Sequence, residues 1–189
     1  KWLYISSLGG NVEKYHEEIM DYIDRNPDMQ VAFQPGTFQM KMGVEKLKRL
    51  YARCTVFVSN IEEAEKITEV HDRDIKKLLE AVATFGPKII LITDGPKGAY
   101  LYDDSLLYFM PPYPDTKPPY ERTGAGDAFA STFVAMLALG KTPREAIRYA
   151  PINSMSVVQS IGAQKGLLTI QEIETWLAQA PAYYQPKEI

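Results

Sequence analysis

The stretch TVFVSNIEEAEKIT, residues 55–68, carries the pattern that decides the fold. A short run rich in β-branched residues leads directly into NIEEAEKIT, in which the apolar residues have helical spacing. The same succession recurs, because residues 2–6 and 30–34 are strand-like and precede helical patterns, and a helix predicted over residues 72–85 precedes a strand over residues 88–93. Repeated strand–helix units predict a mostly parallel sheet covered by helices on both faces, which is a three-layer α/β/α fold.

Helix start signals support several of these elements. Asn11 is the candidate N-cap of the first helix. Thr142 and Thr169 each begin a Thr-x-x-Glu capping box, which predicts the start of a helix in the C-terminal part of the chain. One further helix face is predicted from the spacing of three apolar residues, Val44, Leu47 and Tyr51.

Three segments depart from the strand–helix pattern. AYLYDDSLLYFM, residues 99–110, fits a hairpin that turns at Asp103-Asp104 and adds an antiparallel edge to the sheet. Residues 111–119 hold five of the thirteen prolines, so we expect a loop or an extended connector there. Pro151 is expected to kink the second of the three helices that follow, because proline has no backbone N–H to donate.

The composition is that of an ordinary globular protein. The chain has 189 residues, of which 46% are hydrophobic and 24% charged, and it is interpreted as a single domain over residues 1–189. It carries 21 Lys and Arg against 24 Asp and Glu, for a net charge of −3. This balance argues against a positively charged surface that binds the phosphate backbone of nucleic acids, so nucleic acid is not expected as a partner.

Cysteine and histidine usage indicates a reducing compartment. Cys54 is the one cysteine, which allows no internal disulfide, and His16 and His71 do not have the spacing of a zinc site. The sequence shows neither a secretory signal pattern nor a long apolar run, so a membrane is not expected as a partner. We therefore expect a cytoplasmic protein.

The strongest functional signal is TGAGDAF, residues 123–129, where small residues run directly into an amphipathic helix. Backbone amides at a helix N-terminus are unpaired, and the helix dipole adds partial positive charge, so this turn suits an anion such as a phosphate. Gly124 and Gly126 let the backbone approach the ligand closely. Asp127 places a carboxylate beside the same position, although an acidic residue there also stabilises a helix dipole without any catalytic role.

This stretch resembles the signature D-T-x-G-A-G-D-x-F of the ribokinase-like (phosphofructokinase B) carbohydrate kinase family. Three other segments match family motifs in the same order along the chain. They are NIEE at residues 60–63 for N-x-x-E, TDGPKG at residues 93–98 for T-x-G-x-x-G, and Gly162-Ala163 for the G-A that closes the nucleotide pocket. The resemblance implies a ribokinase-like fold that binds ATP and Mg²⁺ and phosphorylates a hydroxyl of a sugar.

The resemblance also assigns roles to individual residues. Asp127 is the catalytic base, and the turn of Gly124, Ala125 and Gly126 carries an anion hole made by the amides of residues 125–127. Asn60 and Glu63 help to hold magnesium and phosphate. The nucleotide is contacted by a further set of five residues, Thr93, Gly95, Gly98, Gly162 and Ala163.

Some of these residues also have plain structural interpretations. Asn60 and Glu63 fit the N-cap and first turn of a helix, where they need no ligand. Gly95 and Gly98 fit an ordinary turn at the end of a strand. Lys97, between them, fits a solvated turn residue better than a phosphate ligand.

Several positions depart from the family pattern. The leading Asp-Thr of the signature is Glu121-Arg122 here, which leaves an activating monovalent cation unassigned. Two helix positions that are usually glycine are Ser131 and Thr132, so we expect looser packing or a wider helix contact there. Pro151 stands where many members carry Asn or His near the adenine, with Asn153 two residues further on, and no adenine contact is assigned.

The resemblance covers only the C-terminal portion of the family's domain. The family's sugar pocket and lid strands come mainly from an upstream segment that this chain does not show. We therefore expect these 189 residues to be the nucleotide-binding part of a sugar kinase, inactive alone, with an exposed sheet edge that allows a homo-oligomer. A nucleoside kinase and a non-catalytic nucleotide-binding module remain as alternative readings.

Overall fold

The computed structural model describes residues 1–9, 12–71 and 73–189. Within these residues the chain forms two compact units. The first unit comprises Lys1–Ile92 with Tyr102–Asp104, and the second comprises Thr93–Leu101 with Ser105–Ile189. The interpretation of the chain as one domain stays a prediction.

Most strands and helices of the first half alternate along the chain, as the sequence predicts. In order they are β1 (Trp2–Ile5), α1 (Val12–Asp24), β2 (Gln30–Phe33), α2 (Thr37–Met42), α3 (Lys48–Arg53), β3 (Val56–Asn60), α4 (Ile61–Thr68), α5 (Ile75–Ala83) and β4 (Ile89–Thr93).

One prediction for this half is contradicted by the structure, and another lies outside the described residues. The single helix face expected from Val44, Leu47 and Tyr51 is wrong, because α2 ends at Met42 and α3 begins only at Lys48. Gly43 follows α2 with φ 81° and ψ 164°, a backbone conformation outside the helical region, so the helix does not continue through it. The predicted N-cap Asn11 lies outside the described residues, and so does Asp72, the first residue of the helix predicted over residues 72–85.

The second half contains the hairpin and the helices that follow it. Its elements are β5 (Ala99–Asp103), β6 (Leu106–Met110), α6 (Ala125–Ala138), α7 (Pro143–Ala146), α8 (Ala150–Val157), α9 (Ile170–Ala178) and β7 (Lys187–Glu188), with a 3-10 turn at Gly95–Lys97 before β5. Residues 111–119 contain neither helix nor strand, as the prolines predict.

The hairpin turn and the proline kink differ from the predictions. The hairpin turns at Asp104 and Ser105, whose φ angles are 46° and 72°, while Asp103 still belongs to β5. Two successive residues with positive φ match the right-handed twist of the flanking strands. Pro151 does not kink a continuous helix, because α7 ends at Ala146 and Pro151 lies in the first turn of α8. Proline is tolerated there, since the first helical amides have no partner within the helix.

The strands form a mixed sheet, which confirms the predicted α/β class. The described residues contain seven strands. β1 pairs with β2 and β2 with β3 in parallel, with Trp2 opposite Gln30 and Ala32 opposite Val56. β7 pairs with β6 in antiparallel fashion.

An aromatic cluster lies in the core of the first unit. Phe33 is fully buried and meets the rings of Tyr51 and Phe57 edge-on, at centroid distances of 5.5 and 6.3 Å. His16 of α1 is 4% exposed and lies edge-on to Phe33 at 6.4 Å. Among the described residues, neither ring nitrogen of His16 has a hydrogen-bond partner.

A tyrosine anchors the C-terminal residues in the second unit. Tyr184 is fully buried, donates a 2.8 Å hydrogen bond to the carbonyl of Arg148, and packs edge-on against Tyr113. Tyr113 in turn donates to the carbonyl of Trp176 at 2.9 Å. The segment after α9 is therefore part of this core. No helix in the described part of the chain has the length and hydrophobicity to cross a membrane.

Candidate functional site

The N-terminus of α6 has the geometry that the sequence predicts for an anion-binding turn. Gly124, with φ 81° and ψ −4°, precedes the helix in the left-handed conformation, and its carbonyl accepts the first helical hydrogen bond from the amide of Ala128 at 2.8 Å. Gly126 and Asp127 are exposed in the first turn, and a Cβ atom added to Gly126 would meet nothing within 4 Å. The space in front of the backbone is therefore open at this point.

The amide of Ala125 is already used within the protein. It lies 3.3 Å from the carbonyl oxygen of Arg122, in a tight turn that leads into α6. A ligand anion at this turn would share that donor with Arg122, so the open approach lies at residues 126 and 127. The role of the Ala125 amide in an anion hole stays a prediction.

Gly124 and Ala163, two residues predicted from separate motifs, are in direct contact. A Cβ atom added to Gly124 would lie 2.6 Å from Cβ and 2.7 Å from Cα of Ala163. Gly124 therefore needs to be glycine for two reasons, its positive φ and this close approach. The turn before α6 and the Gly162–Ala163 turn are therefore packed directly against each other.

Glu121 connects the same two turns through a hydrogen bond that sequence reasoning missed. A carboxyl oxygen of Glu121 accepts a hydrogen bond from the amide of Gly162 at 2.6 Å. The only sequence signal was the departure itself, an acidic residue one methylene longer than the family's aspartate.

Thr132, at another departure from the family pattern, is hydrogen-bonded to Asn153. Asn153 of α8 and Thr132 of α6 are each 6% exposed, and the Asn153 side-chain amide donates to the Thr132 hydroxyl at 2.8 Å. Ser131, by contrast, is exposed and donates to the carbonyl of Asp127 at 2.6 Å. Thr132 thus fills the place of a glycine with a paired hydroxyl.

The predicted nucleotide turn at residues 93–98 is closed by its own backbone. The amide of Asp94 donates to the carbonyl of Gly98 at 2.8 Å, and Lys97 forms a 3.5 Å ion pair with Asp94. Gly98 has a φ of 123°, and a Cβ atom on it would lie 2.5 Å from the carbonyl oxygen of Met110. The glycine is thus required for packing against β6, whatever ligand the turn meets.

Asn60 and Glu63 form a reciprocal capping box at the start of α4. The Asn60 side chain accepts from the amide of Glu63 at 2.8 Å, and the Glu63 carboxylate accepts from the amide of Asn60 at 3.0 Å. Burial raises the pKa of Glu63 above its ordinary value, although the hydrogen bond from Asn60 opposes the shift. In the matching box of α9, exposed Glu172 has a lowered pKa, because the hydrogen bonds from Thr169 dominate there. The difference marks Glu63 as a half-buried carboxylate.

Glu63 offers one carboxylate group to a magnesium ion. The described residues contain no group of three His, Cys, Asp or Glu side chains that could hold a metal alone. Mg²⁺ is usually held by one or two carboxylates together with waters and substrate phosphates, so a single carboxylate is compatible with it. Glu63 uses one carboxyl oxygen in the capping box and has a second available as a ligand by its chemistry.

A glycine-containing turn that leads into a helix N-terminus, in an α/β fold, is a feature that many phosphate-binding proteins share. The chain belongs to the pfkB family of carbohydrate kinases, whose family model matches residues 1–170. This confirms the resemblance seen in the sequence. The members of this family are phosphotransferases.

Individual relatives agree with this assignment. Ribokinase of Bacillus subtilis is 36% identical over 99 residues, which cover 52% of this chain and 33% of the relative. Cytidine kinase of Thermococcus kodakarensis is 33% identical over 119 residues, which cover 61% of this chain and 41% of the relative. The matched residues thus span less than half the length of these two relatives.

A solved structure shows the same fold. An E. coli protein assigned as a ribokinase II, in complex with ATP and Mg²⁺, superimposes with a TM-score of 0.80 at 18% identity. The match covers 94% of this chain and 58% of that chain.

Proposed function

We propose that this chain supplies the nucleotide-phosphate side of a kinase that transfers the γ-phosphoryl group of ATP to a hydroxyl of a sugar. The observation that carries the proposal is the N-terminus of α6, where Gly124 is left-handed, Gly126 faces open space and Asp127 is exposed in the first turn. Membership of a carbohydrate kinase family supports the reaction class.

The first turn of α6 stabilises the charge that develops during transfer. The transition state of phosphoryl transfer is loose and spreads negative charge over the equatorial phosphate oxygens. The amides of Gly126 and Asp127, with the Ala125 amide beside them, are fixed donors at the positive end of a 14-residue helix dipole. They require no reorganisation when the charge appears.

Asp127 accepts the proton of the attacking hydroxyl. A general base must reach the reacting group, and an exposed carboxylate in the first helical turn lies beside the site where the phosphate is bound. Because the hydroxyl becomes acidic only as it bonds to phosphorus, a weak base is sufficient at that late stage.

Asn60 and Glu63 support the metal and phosphates. When bound, Mg²⁺ neutralises charge on the phosphate oxygens. Glu63 offers a carboxylate oxygen to its hydration shell, and the capping box holds that carboxylate in one orientation.

The remaining predicted residues line the nucleotide. Thr93, Gly95 and Gly98 belong to a closed turn at the end of β4, and Gly162 and Ala163 adjoin the anion-binding turn. Ends of parallel strands are the usual ligand-binding edge of an α/β sheet, which supports this assignment.

The acceptor is proposed to be a sugar, with a nucleoside as the second candidate. The B. subtilis relative is a ribokinase, whereas the cytidine kinase of T. kodakarensis matches a longer part of this chain. A cytoplasmic location is proposed with either acceptor, since the one cysteine, Cys54, is a buried free thiol.

Calorimetry on the 189-residue chain tests the nucleotide assignment. We expect Mg·ATP and Mg·ADP to bind, and a coupled ADP assay to show no useful turnover with ribose, fructose or cytidine. Absence of binding would overturn the proposed function. Rapid turnover would instead show that these residues include an acceptor site. The Gly126→Val variant is the control, because its β-branched side chain fills the open space before the backbone and should abolish binding.

A further inference from the structure

The loop between α8 and α9, residues 158–169, is fixed at two points by side chains that lie outside it. Glu121 accepts a hydrogen bond from the amide of Gly162 at 2.6 Å, and Asn153 accepts one from the amide of Leu168 at 2.9 Å. Between these two points lie Ala163 and the contact with Gly124. The loop is thus anchored at Gly162, within the turn that contacts Gly124, and again at Leu168.

The Glu121 anchor is part of a longer run of hydrogen bonds. The backbone amides of Tyr120 and Glu121 both donate hydrogen bonds to the carbonyl oxygen of Val158, at 2.7 and 3.4 Å. The side chain of Gln159 donates to the carbonyl of Lys117 at 3.0 Å. The segment before the anion-binding turn therefore lies along the start of the 158–169 loop, and the Glu121 carboxylate extends that pairing to Gly162. Hydrogen bonds from backbone amides to carboxylates are stronger than neutral ones.

The Asn153 anchor is buried and uses both ends of its amide. Its oxygen accepts from Leu168, and its nitrogen donates to Thr132 of α6, the helix that begins at the anion-binding turn. A buried amide that loses either partner leaves an unpaired polar group, which is costly. Gly166, between the anchors, lies tightly on α8, since a Cβ atom there would be 2.5 Å from the carbonyl oxygen of Ser156.

We infer that Glu121 and Asn153 are positioning residues that hold the Gly162–Ala163 turn against Gly124 before any ligand binds. A turn that is already in place costs less conformational entropy on binding than a mobile one. The consequence for nucleotide affinity rests on the proposed function, whereas the anchoring itself does not. Glu121 and Asn153 act through the loop and not on the reacting atoms.

Amide hydrogen exchange on the ligand-free 189-residue chain tests the anchoring. Glu121→Ala should speed exchange at Gly162 by about tenfold or more, which corresponds to the loss of one hydrogen bond to a charged group. Asn153→Ala should do the same at Leu168. Glu121→Gln keeps an oxygen acceptor and should restore most of the protection at Gly162. Gln164→Ala, an exposed side chain in the same loop, is the matched control and should leave both amides unchanged.

Hydrogen exchange in the rest of the second unit shows whether a substitution acts locally or destabilises the whole unit. If Glu121→Ala speeds exchange equally at Gly162 and in the interior of α6, the residue is a general stabiliser and the inference is overturned. Unchanged exchange at Gly162 overturns it as well. Should Asn153→Ala fail to fold, the partly exposed Glu121 and its glutamine variant still decide the question.

Titration with Mg·ADP then links the anchors to the nucleotide. We expect Glu121→Ala to raise the Kd several-fold, with Glu121→Gln and Gln164→Ala close to the unsubstituted chain. A Kd unchanged by Glu121→Ala, in a chain that binds the nucleotide, would refute the positioning role. If the unsubstituted chain binds no nucleotide, the proposed function fails, while the exchange data still decide whether the loop is anchored.

Discussion

Gly124 packs so closely against Ala163 that a Cβ atom placed on it would lie 2.6 Å from the Cβ atom of Ala163. Two side-chain carbons cannot approach that closely without a shift of the surrounding structure. Gly124 also has a φ of 81°, a backbone conformation that other residues adopt at a cost. Gly124 and Ala163, which are 39 positions apart in the sequence, therefore meet at a point where only glycine fits.

Gly124→Ala should destabilise the protein by about 1–3 kcal/mol, because it combines backbone strain with overpacking against Ala163. The measurement is the free energy of unfolding in urea. Gly126→Ala is the matched control, since a methyl group there meets nothing within 4 Å and alanine favours the helix. Equal effects of the two substitutions would contradict the contact between Gly124 and Ala163.

Asp127→Asn should separate the chemical step from nucleotide binding in a form of the protein that turns over. The substitution keeps the side-chain size and the backbone donors, so nucleotide affinity should change little. Loss of the proton acceptor should lower kcat by about 10²–10⁴, roughly 3–5 kcal/mol. A kcat within about a factor of two, under 0.5 kcal/mol, would reduce Asp127 to a helix-dipole residue.

Glu63→Gln should separate helix capping from metal binding. Glutamine completes a capping box as glutamate does, so the free energy of unfolding should change by less than about 0.5 kcal/mol. The gain in nucleotide affinity on addition of Mg²⁺ should fall, because the carboxylate is gone. Glu172→Gln alters the same box in α9, where no ligand is proposed, and should affect neither quantity. A full Mg²⁺ effect in Glu63→Gln would remove this residue from the metal assignment.

The buried His16 should make stability depend on pH. Burial lowers its pKa below the ordinary value of 6.5, so the unfolded chain takes up a proton at a higher pH than the folded one. Stability contributed by the neutral ring is therefore present above pH 6.5 and is lost as the pH falls through the lowered folded pKa.

His16→Phe keeps a ring against Phe33 and removes two unpaired nitrogens. It should raise stability near neutral pH by about 1 kcal/mol and reduce the loss of stability between about pH 7.5 and 5.5. Urea titrations at both pH values measure this. His71→Gln changes an exposed histidine and should keep the original pH dependence. An unaltered slope in His16→Phe would mean that other groups set it.

The strand–helix succession was predictable because each element carries its own periodicity. The periodicity of a short segment does not show which strand it pairs with. β7 has two residues, Lys187 and Glu188, and exists only through its pairing with β6. The hairpin turn lies one position later than predicted. Two adjacent acidic residues and a serine all suit a turn, and the strand pairing determines which two of them form it.

At the site, the glycine-containing turn and the capping box were readable from sequence, since both are local backbone motifs. The Glu121–Gly162 and Asn153–Leu168 hydrogen bonds were not, because they join residues 41 and 15 positions apart. Departures from a family motif indicated which positions differ from other family members. They did not indicate which partner each side chain had gained.

The two compact units each contain one of the two tryptophans, Trp2 in the first and Trp176 in the second. Each unit therefore carries its own intrinsic fluorophore. Variants with Trp2→Phe or Trp176→Phe would report the melting of one unit at a time. Coincident fluorescence transitions would make the chain a single cooperative folding unit, whereas separate ones would make it two.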